Sequence, residues 1–547
     1  MKIEKNAWTL FLIVLVFASS NLSILSAQQK PVTIAESSSY TATSTYADVM
    51  EFISVLQKQS SLFRVETLCR STEGKRVPLL VIGNPVPASP LDLGSDERMV
   101  VYFQANIHAG EVEGKEATLM LVRDILLQEN PPFLKDLVIL IAPIFNADGN
   151  DKFGNNRRDN GPELAGIRYN GQNLDLNRDA VKMESPEVQG MVRNVFNRWD
   201  PALFVDCHTT NGSYHEEPVT YTWAFNPNGS QAIIDYMRKT MMPSVQKHME
   251  DTYDVLAIPY GNFMDSGDPE KGWRTAGPQC RYLTNYIGLR NRLSILNENY
   301  AYADFKTRVW GCYYFLYSLL EYCESHKEDI IGLIREEDQK TLQRGTKPAE
   351  YDQFHVEYDL EAYDEKLTIR GYEMEVVQGE GPRPRVRRTD KKRTYKVPYF
   401  CKFVPKRSIR FPSGYFISVN DPKITKKLLQ HGITVEVLRE PVTVEVESFK
   451  VQELKSAERL YQGHYVNSIK GEYVTEEKTF PIGSLFVNTA QRLGTVAAYL
   501  LEPESDDGLL VWNYFDRYLA SQWRRRPQTV PVYRLLKPVH LVKETIR

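Results

Sequence analysis

Cysteine is scarce in this chain. Six in 547 residues do not make a disulfide framework, so a small bridged scaffold is excluded. Cys312 and Cys323 fall on one predicted helix, too far apart along it to pair. Cys207 reads as a small buried hydrophobe inside a strand. Net charge is nearly absent too. The formal value of −3 gives no bulk attraction to nucleic acid or to an acidic membrane. No internal repeat is evident. Long apolar runs are missing beyond residues 8–18, and that run is too short to span a bilayer. It follows Lys2 and Lys5 and precedes Ser26-Ala27-Gln28, the layout of a signal peptide over 1–27, despite a poor Leu25. No cysteine follows it, so no lipid anchor is expected. The chain is therefore expected to be exported, with no stable membrane insertion after cleavage.

Apolar residues make up 42% of the composition, enough for a sizeable core, and the length suggests two domains. Residues 99–107 form an apolar strand that ends in His108-Ala-Gly-Glu111. A helical pattern follows over 112–127. A histidine and a carboxylate three apart, at the carboxyl edge of a sheet, stand where open α/β folds place ligands. Together they can grip one divalent metal, but a catalytic zinc wants three protein ligands. Residues 201–207 form a second buried strand, and it ends at His208, the candidate third ligand. An isolated H-x-x-E arises often by chance, so the rest of the chain carries weight. Asn146-Ala-Asp-Gly149 ends a third apolar strand, 137–145. Arg168 precedes Asp175-Leu-Asn-Arg178. A fourth strand carries Glu298 near its end.

In these motifs and their order, over roughly residues 40–340, the chain resembles the zinc carboxypeptidase family, the funnelin-type metallocarboxypeptidases. The resemblance implies an α/β fold with a mixed, mostly parallel sheet flanked by helices. It also implies one zinc ion per chain held by His108, Glu111 and His208, and Glu298 as general base and then acid. Asn177 and Arg178 would bind the terminal carboxylate of a peptide substrate, which a guanidinium fork matches bidentately. Arg168 would stabilise the oxyanion; Arg157 and Arg158 compete for that role but read as a solvated loop. A mobile tyrosine would be Tyr286, with Tyr282 as alternative. His215 reads as a surface-loop histidine. The chain departs from the family pattern at Asp179 and at Thr209-Thr210, which puts the specificity pocket in doubt. The activity implied is hydrolysis of C-terminal peptide bonds. The rivals are a cell-wall peptide hydrolase, an N-acyl amino-acid deacylase, and an inactive binding protein on the same fold.

The organisation expected is a signal peptide over 1–27, a catalytic domain over 28–345 and a β-rich module over 346–547. Residues 28–45 read as an extended lead-in, and 305–343 as one long helix or two. The Pro-bearing basic run from Gly379 reads as a solvated loop. In the module, residues 423–431 suggest a short helix. Period-two alternation marks strands at 443–447 and near 472–475, with further strand candidates at 483–487 and 495–501.

Overall fold

The computed structural model describes residues 30–93, 98–158, 160–377, 385–519 and 528–546. The signal-peptide reading of 1–27 lies outside them. At the centre is an eight-stranded mixed sheet. Its middle strands, Leu137–Ala142, Met99–Ala105, Leu203–Thr210 and Leu293–Tyr300, run parallel and adjacent in that order. They are buried on both faces, which is why they read as unbroken apolar runs. Antiparallel strands flank them, Phe63–Arg70 and Arg76–Ile82 on one side and Val219–Trp223 on the other.

One face is covered by the helices Tyr46–Gln59, Glu113–Leu126 and Phe305–Ser325, through Val49, Leu119 and Phe315 among others. Gly114 lets the second of these approach closely. A Cβ there would stand 2.4 Å from that of Cys207, so any side chain would push the helix off the strand that ends in His208. Asp304 caps the third helix by accepting from the Thr307 N–H at 3.0 Å. A separate helix, Lys327–Thr346, follows directly, so the 305–343 stretch is two helices. The lead-in is not wholly extended. Thr33 and Glu36 form a capping box on a one-turn helix, and the Thr43 and Ser44 hydroxyls bond the buried Glu116 carboxylate.

The other face packs against the C-terminal part of the chain. A seven-stranded sheet there is antiparallel throughout. The helix Pro422–Gln430 lies where the sequence suggests it. Residues 495–501 are not a strand but the helix Gly494–Leu501, buried on every side; uniform burial erases the periodicity that tells the two apart. The basic run is also not a loop where described. It opens the strand Arg385–Arg410, which pairs antiparallel with Gln353–Val377. Its cations meet acids: Arg387 with Glu375, Arg393 with Glu270 and Arg407 with Glu357. This long hairpin joins the short strand Trp273–Arg274, which pairs on its other side with Asn262–Phe263, rather than the seven-stranded sheet.

One core runs through both halves. Leu79, Tyr102, Phe204 and Tyr286 belong to the same buried cluster as Tyr415, Leu428, Val435 and Tyr499. Within it, His431 accepts a bond from the Tyr286 hydroxyl at 2.8 Å and donates one to the Val181 carbonyl at 3.0 Å. Burial, helped by the nearby Lys427 and Arg290 cations, holds its pKa well below the usual histidine range. The unfolded chain takes a proton at this position below about pH 6.5, and the folded protein does not. Stability is therefore lost as pH falls below that value, by up to about 1.4 kcal/mol per pH unit. In His431→Gln, urea melts between about pH 6.5 and 5.5 should show an acid slope shallower by that amount. An unchanged slope would show that His431 is not the group responsible.

Candidate metal centre

Four loops leave the carboxyl ends of the parallel strands at one edge of the sheet. Asn106, in the left-handed region at φ 65°, turns the chain sharply out of its strand. The Glu111 N–H then bonds the His108 carbonyl at 2.9 Å, which folds both side chains to one side. His208 ends the adjacent strand. His108 Nδ1 and His208 Nδ1 lie 3.1 Å apart, and they stand 3.1 and 3.0 Å from the two Glu111 oxygens. All three residues are buried, and among the described residues theirs is the group with metal-ligand spacing. Bonds of about 2.0–2.2 Å to a tetrahedral ion place ligand atoms about 3.3–3.5 Å apart. The observed separations are close to that edge length, so the donor set fits zinc in size and in kind.

Each ring is fixed from behind. His108 Nε2 meets Asp175 Oδ1 at 2.9 Å, and His208 Nε2 meets Asp206 Oδ2 at 2.9 Å. A carboxylate there sets the tautomer that turns the Nδ1 lone pair towards a metal. Asp206 lies two residues before His208, on the same face of the strand, and Gln104 on the neighbouring strand bonds its other oxygen at 3.2 Å. Burial alone would raise the Glu111 carboxyl; the two histidines and Arg158 hold it well below its ordinary range.

Glu298 is the direct register partner of His208 across the parallel pair. It is half-buried beside the two histidines, and its buried Oε2 has no hydrogen-bond partner among the described residues. Burial first, with a push from Glu111, raises its pKa to about 7 against the pull of His208, Arg158 and His108.

The arginines divide differently from expectation. Arg158 is not a solvated loop residue. Its guanidinium bonds Glu111 and Asn211 and stands in electrostatic range of Glu298. Arg168 also reaches the cluster, 3.6 Å from Glu111, but its Nε and Nη2 are both held by Asp175 at 2.8 Å. Asn177 and Arg178 follow Asp175 on one turn of 3-10 helix. The Asn177 side-chain carbonyl accepts from the Leu283 N–H at 3.0 Å, and Arg178 stacks over the Tyr282 ring at 4.5 Å.

Tyr286 does not come to the centre. It is buried in the core on His431. Tyr282 and Tyr260 do come near it. Tyr260 follows the edge strand Ala257–Pro259 and lies beside Thr210, Glu298, Glu111 and Tyr282. A tyrosine and a glycine at the end of that short strand were a signal in Ile258-Pro-Tyr-Gly261. His215 is buried rather than exposed, stacked on Tyr300 at 3.9 Å and edge-on to Trp273. The departures have local causes. Asp179 is a buried hub that accepts from the Glu184 and Ser185 N–H groups and from Lys182. The Thr209 N–H bonds Glu111 at 3.0 Å, and its hydroxyl bonds Glu113, which pairs with the buried Arg308.

Residues 49–276 match the family model described as zinc carboxypeptidase, a span that holds the three candidate ligands and stops short of Glu298. The chain is 21% identical over 485 residues to Carboxypeptidase 2 of Trichophyton equinum, covering 85% of this chain and 81% of that one. It is 22% identical over 456 residues to Carboxypeptidase 2 of Trichophyton tonsurans, covering 80% and 78%. Among solved structures it is similar to a metallo-carboxypeptidase from Burkholderia cenocepacia, at TM-score 0.38 and 18% identity, covering 52% of this chain and 70% of that one. It is also similar to carboxypeptidase A from Helicoverpa armigera, at TM-score 0.39 and 14% identity, covering 60% and 83%.

Proposed function

We propose that the chain, which matches the zinc carboxypeptidase family model over residues 49–276, is a metallocarboxypeptidase that removes C-terminal residues from peptides with His108, Glu111 and His208 as the zinc ligands. The observation that carries this reading is the buried His-Glu-His cluster, with each ring locked by a carboxylate and Glu298 in register beside it. Zinc bound there supplies a Lewis acid that acidifies water and polarises a carbonyl.

The chain's own groups do the rest. Glu298 takes the proton of the attacking water and passes it to the amine nitrogen as the C–N bond breaks. A carboxyl with a pKa near neutrality is suited to both transfers. Arg158, nearer to Glu298 than Arg168 in its electrostatics, donates to the developing oxyanion. Arg168 holds Asp175, and through it the His108 ring. Arg178, aided by Asn177, binds the substrate's terminal carboxylate; Tyr260 and Tyr282 replace Tyr286 as the tyrosines that face substrate. Export through residues 1–27 is part of the same proposal. No helix among the described residues is long and apolar enough to cross a membrane.

Matched peptides with free and amidated C-termini test the exopeptidase reading. An amide leaves the Arg178 guanidinium without a charged partner, a loss of about 1.5–3 kcal/mol. The free peptide should be cleaved at least about tenfold more efficiently, and Arg178→Ala should erase the difference. Equal cleavage of both by the unaltered enzyme would point to an endopeptidase or another amidohydrolase.

A further inference from the structure

The strands Val442–Ser456 and Asn467–Phe480 of the C-terminal sheet are joined by a loop whose tip is a tight turn over residues 461–464. Tyr461 and His464 exchange backbone bonds of 2.8 and 3.0 Å. Both central residues have positive φ, Gln462 at 52° and Gly463 at 82°, the pattern of a two-residue I′ turn. Glycine adopts that backbone freely. A glutamine is uncommon there and persists where its surroundings hold it.

What holds it is the catalytic half of the chain. Gln462 Oε1 accepts from the Asp175 N–H at 2.9 Å, and Asp175 is the residue behind His108. His464 meets Glu184 at 3.0 Å and Asn513 at 3.0 Å. The Tyr461 side chain stands beside both Arg178 and Arg281. Its ring lies under the Arg281 guanidinium at 5.3 Å and parallel to Trp512. Arg281 is in turn neutralised by the buried Asp507, 2.9 Å away. So of the two guanidiniums beside this side chain, Arg281 already has its carboxylate within the protein. Among the described residues Arg178 has a marginal one, Asp175 at 3.9 Å, which His108 and Arg168 already engage.

We propose that this turn forms a wall of the substrate cleft and that Tyr461 donates its hydroxyl to the terminal carboxylate beside Arg178. The inference rests on the exopeptidase reading and deepens it: the C-terminal module supplies part of the subsite for the substrate's last residue. Gln462 acts as a positioning residue, since it touches Asp175 and sets where Tyr461 stands.

The test uses full-length protein with zinc. Tyr461→Phe keeps the ring and removes the donor. For free-carboxyl peptides its KM should rise about tenfold, the worth of one charge-assisted hydrogen bond, with kcat within about twofold. Amidated peptides should be unaffected, so the preference for free termini shrinks by the same factor. Calorimetric binding of a free and an amidated dipeptide to Glu298→Gln protein, with and without Tyr461→Phe, should show the same selective loss without turnover. Gln462→Gly, which accepts positive φ, should move KM in the same direction and leave the melting temperature unchanged. Tyr465→Phe, at an exposed ring just past the turn, is the control and should change nothing. If the unaltered enzyme prefers free termini and Tyr461→Phe keeps that preference, the turn is only structural and the inference falls alone. If the unaltered enzyme shows no preference, the exopeptidase reading has failed and takes the inference with it.

Discussion

Glu298→Gln will leave a folded protein that still binds zinc and turns over about 10²–10⁴-fold more slowly. The side chain is isosteric, so packing among its buried neighbours is preserved. Only the capacity to accept and return a proton is removed, and that capacity has the stated worth. The folded protein is also little troubled by the neutral amide. Burial raises this carboxyl and so favours its uncharged form. Steady-state kinetics, metal analysis and a thermal melt on one preparation separate the three quantities. A rate near that of the parent would assign the base to another residue, and loss of zinc would make Glu298 a ligand instead.

His208→Ala will lose stoichiometric zinc and, with it, activity. Two ligands remain, fewer than a catalytic site uses. A second effect is predicted on stability. The fully buried Asp206 loses its imidazole partner and, among the described residues, keeps Gln104. An unpaired buried charge costs about 3–5 kcal/mol. Asp206→Asn added to His208→Ala should restore most of that stability without restoring the metal. Asp206→Asn alone should retain zinc with affinity weakened about 10–100-fold. Metal analysis and chemical denaturation on the three variants are the measurements. Full zinc occupancy in His208→Ala would remove His208 from the ligand set, and equal stability of the single and double variants would show that Asp206 is not left charged.

The sheet was legible because its parallel strands are buried on both faces and end in polar residues. The apolar runs before His108, Asn146, His208 and Glu298 are all strands, and together they make up the parallel centre of the sheet. The three candidate ligands stand at those strand ends and lie together in the structure. What failed were judgments about contacts between distant segments. Arg158 reads as an exposed loop residue until Glu111, 47 positions away, is seen to meet it. Tyr286 and Tyr260 differ in no local feature that separates a core ring from one at the cleft. Residues 495–501 lack a polar face because the chain covers them on every side. Asp175 stood within a recognised motif, yet its bond to His108 spans 67 positions. Gln462 is more remote still, 287 positions from Asp175, and nothing in its neighbourhood announces a partner.

The buried cluster shared by the two halves has a consequence for how the molecule comes into being. During synthesis the central sheet emerges first, with one face still lacking Leu428, Val435 and Tyr499. A chain halted near residue 345 would display that face as bare apolar surface, prone to aggregate or to be bound by chaperones. The complete chain should unfold in a single cooperative step, because neither half can let go without stripping the other. The cleft gains its last wall when the 461–464 turn arrives, so hydrolytic competence belongs to the finished polypeptide rather than to a nascent one.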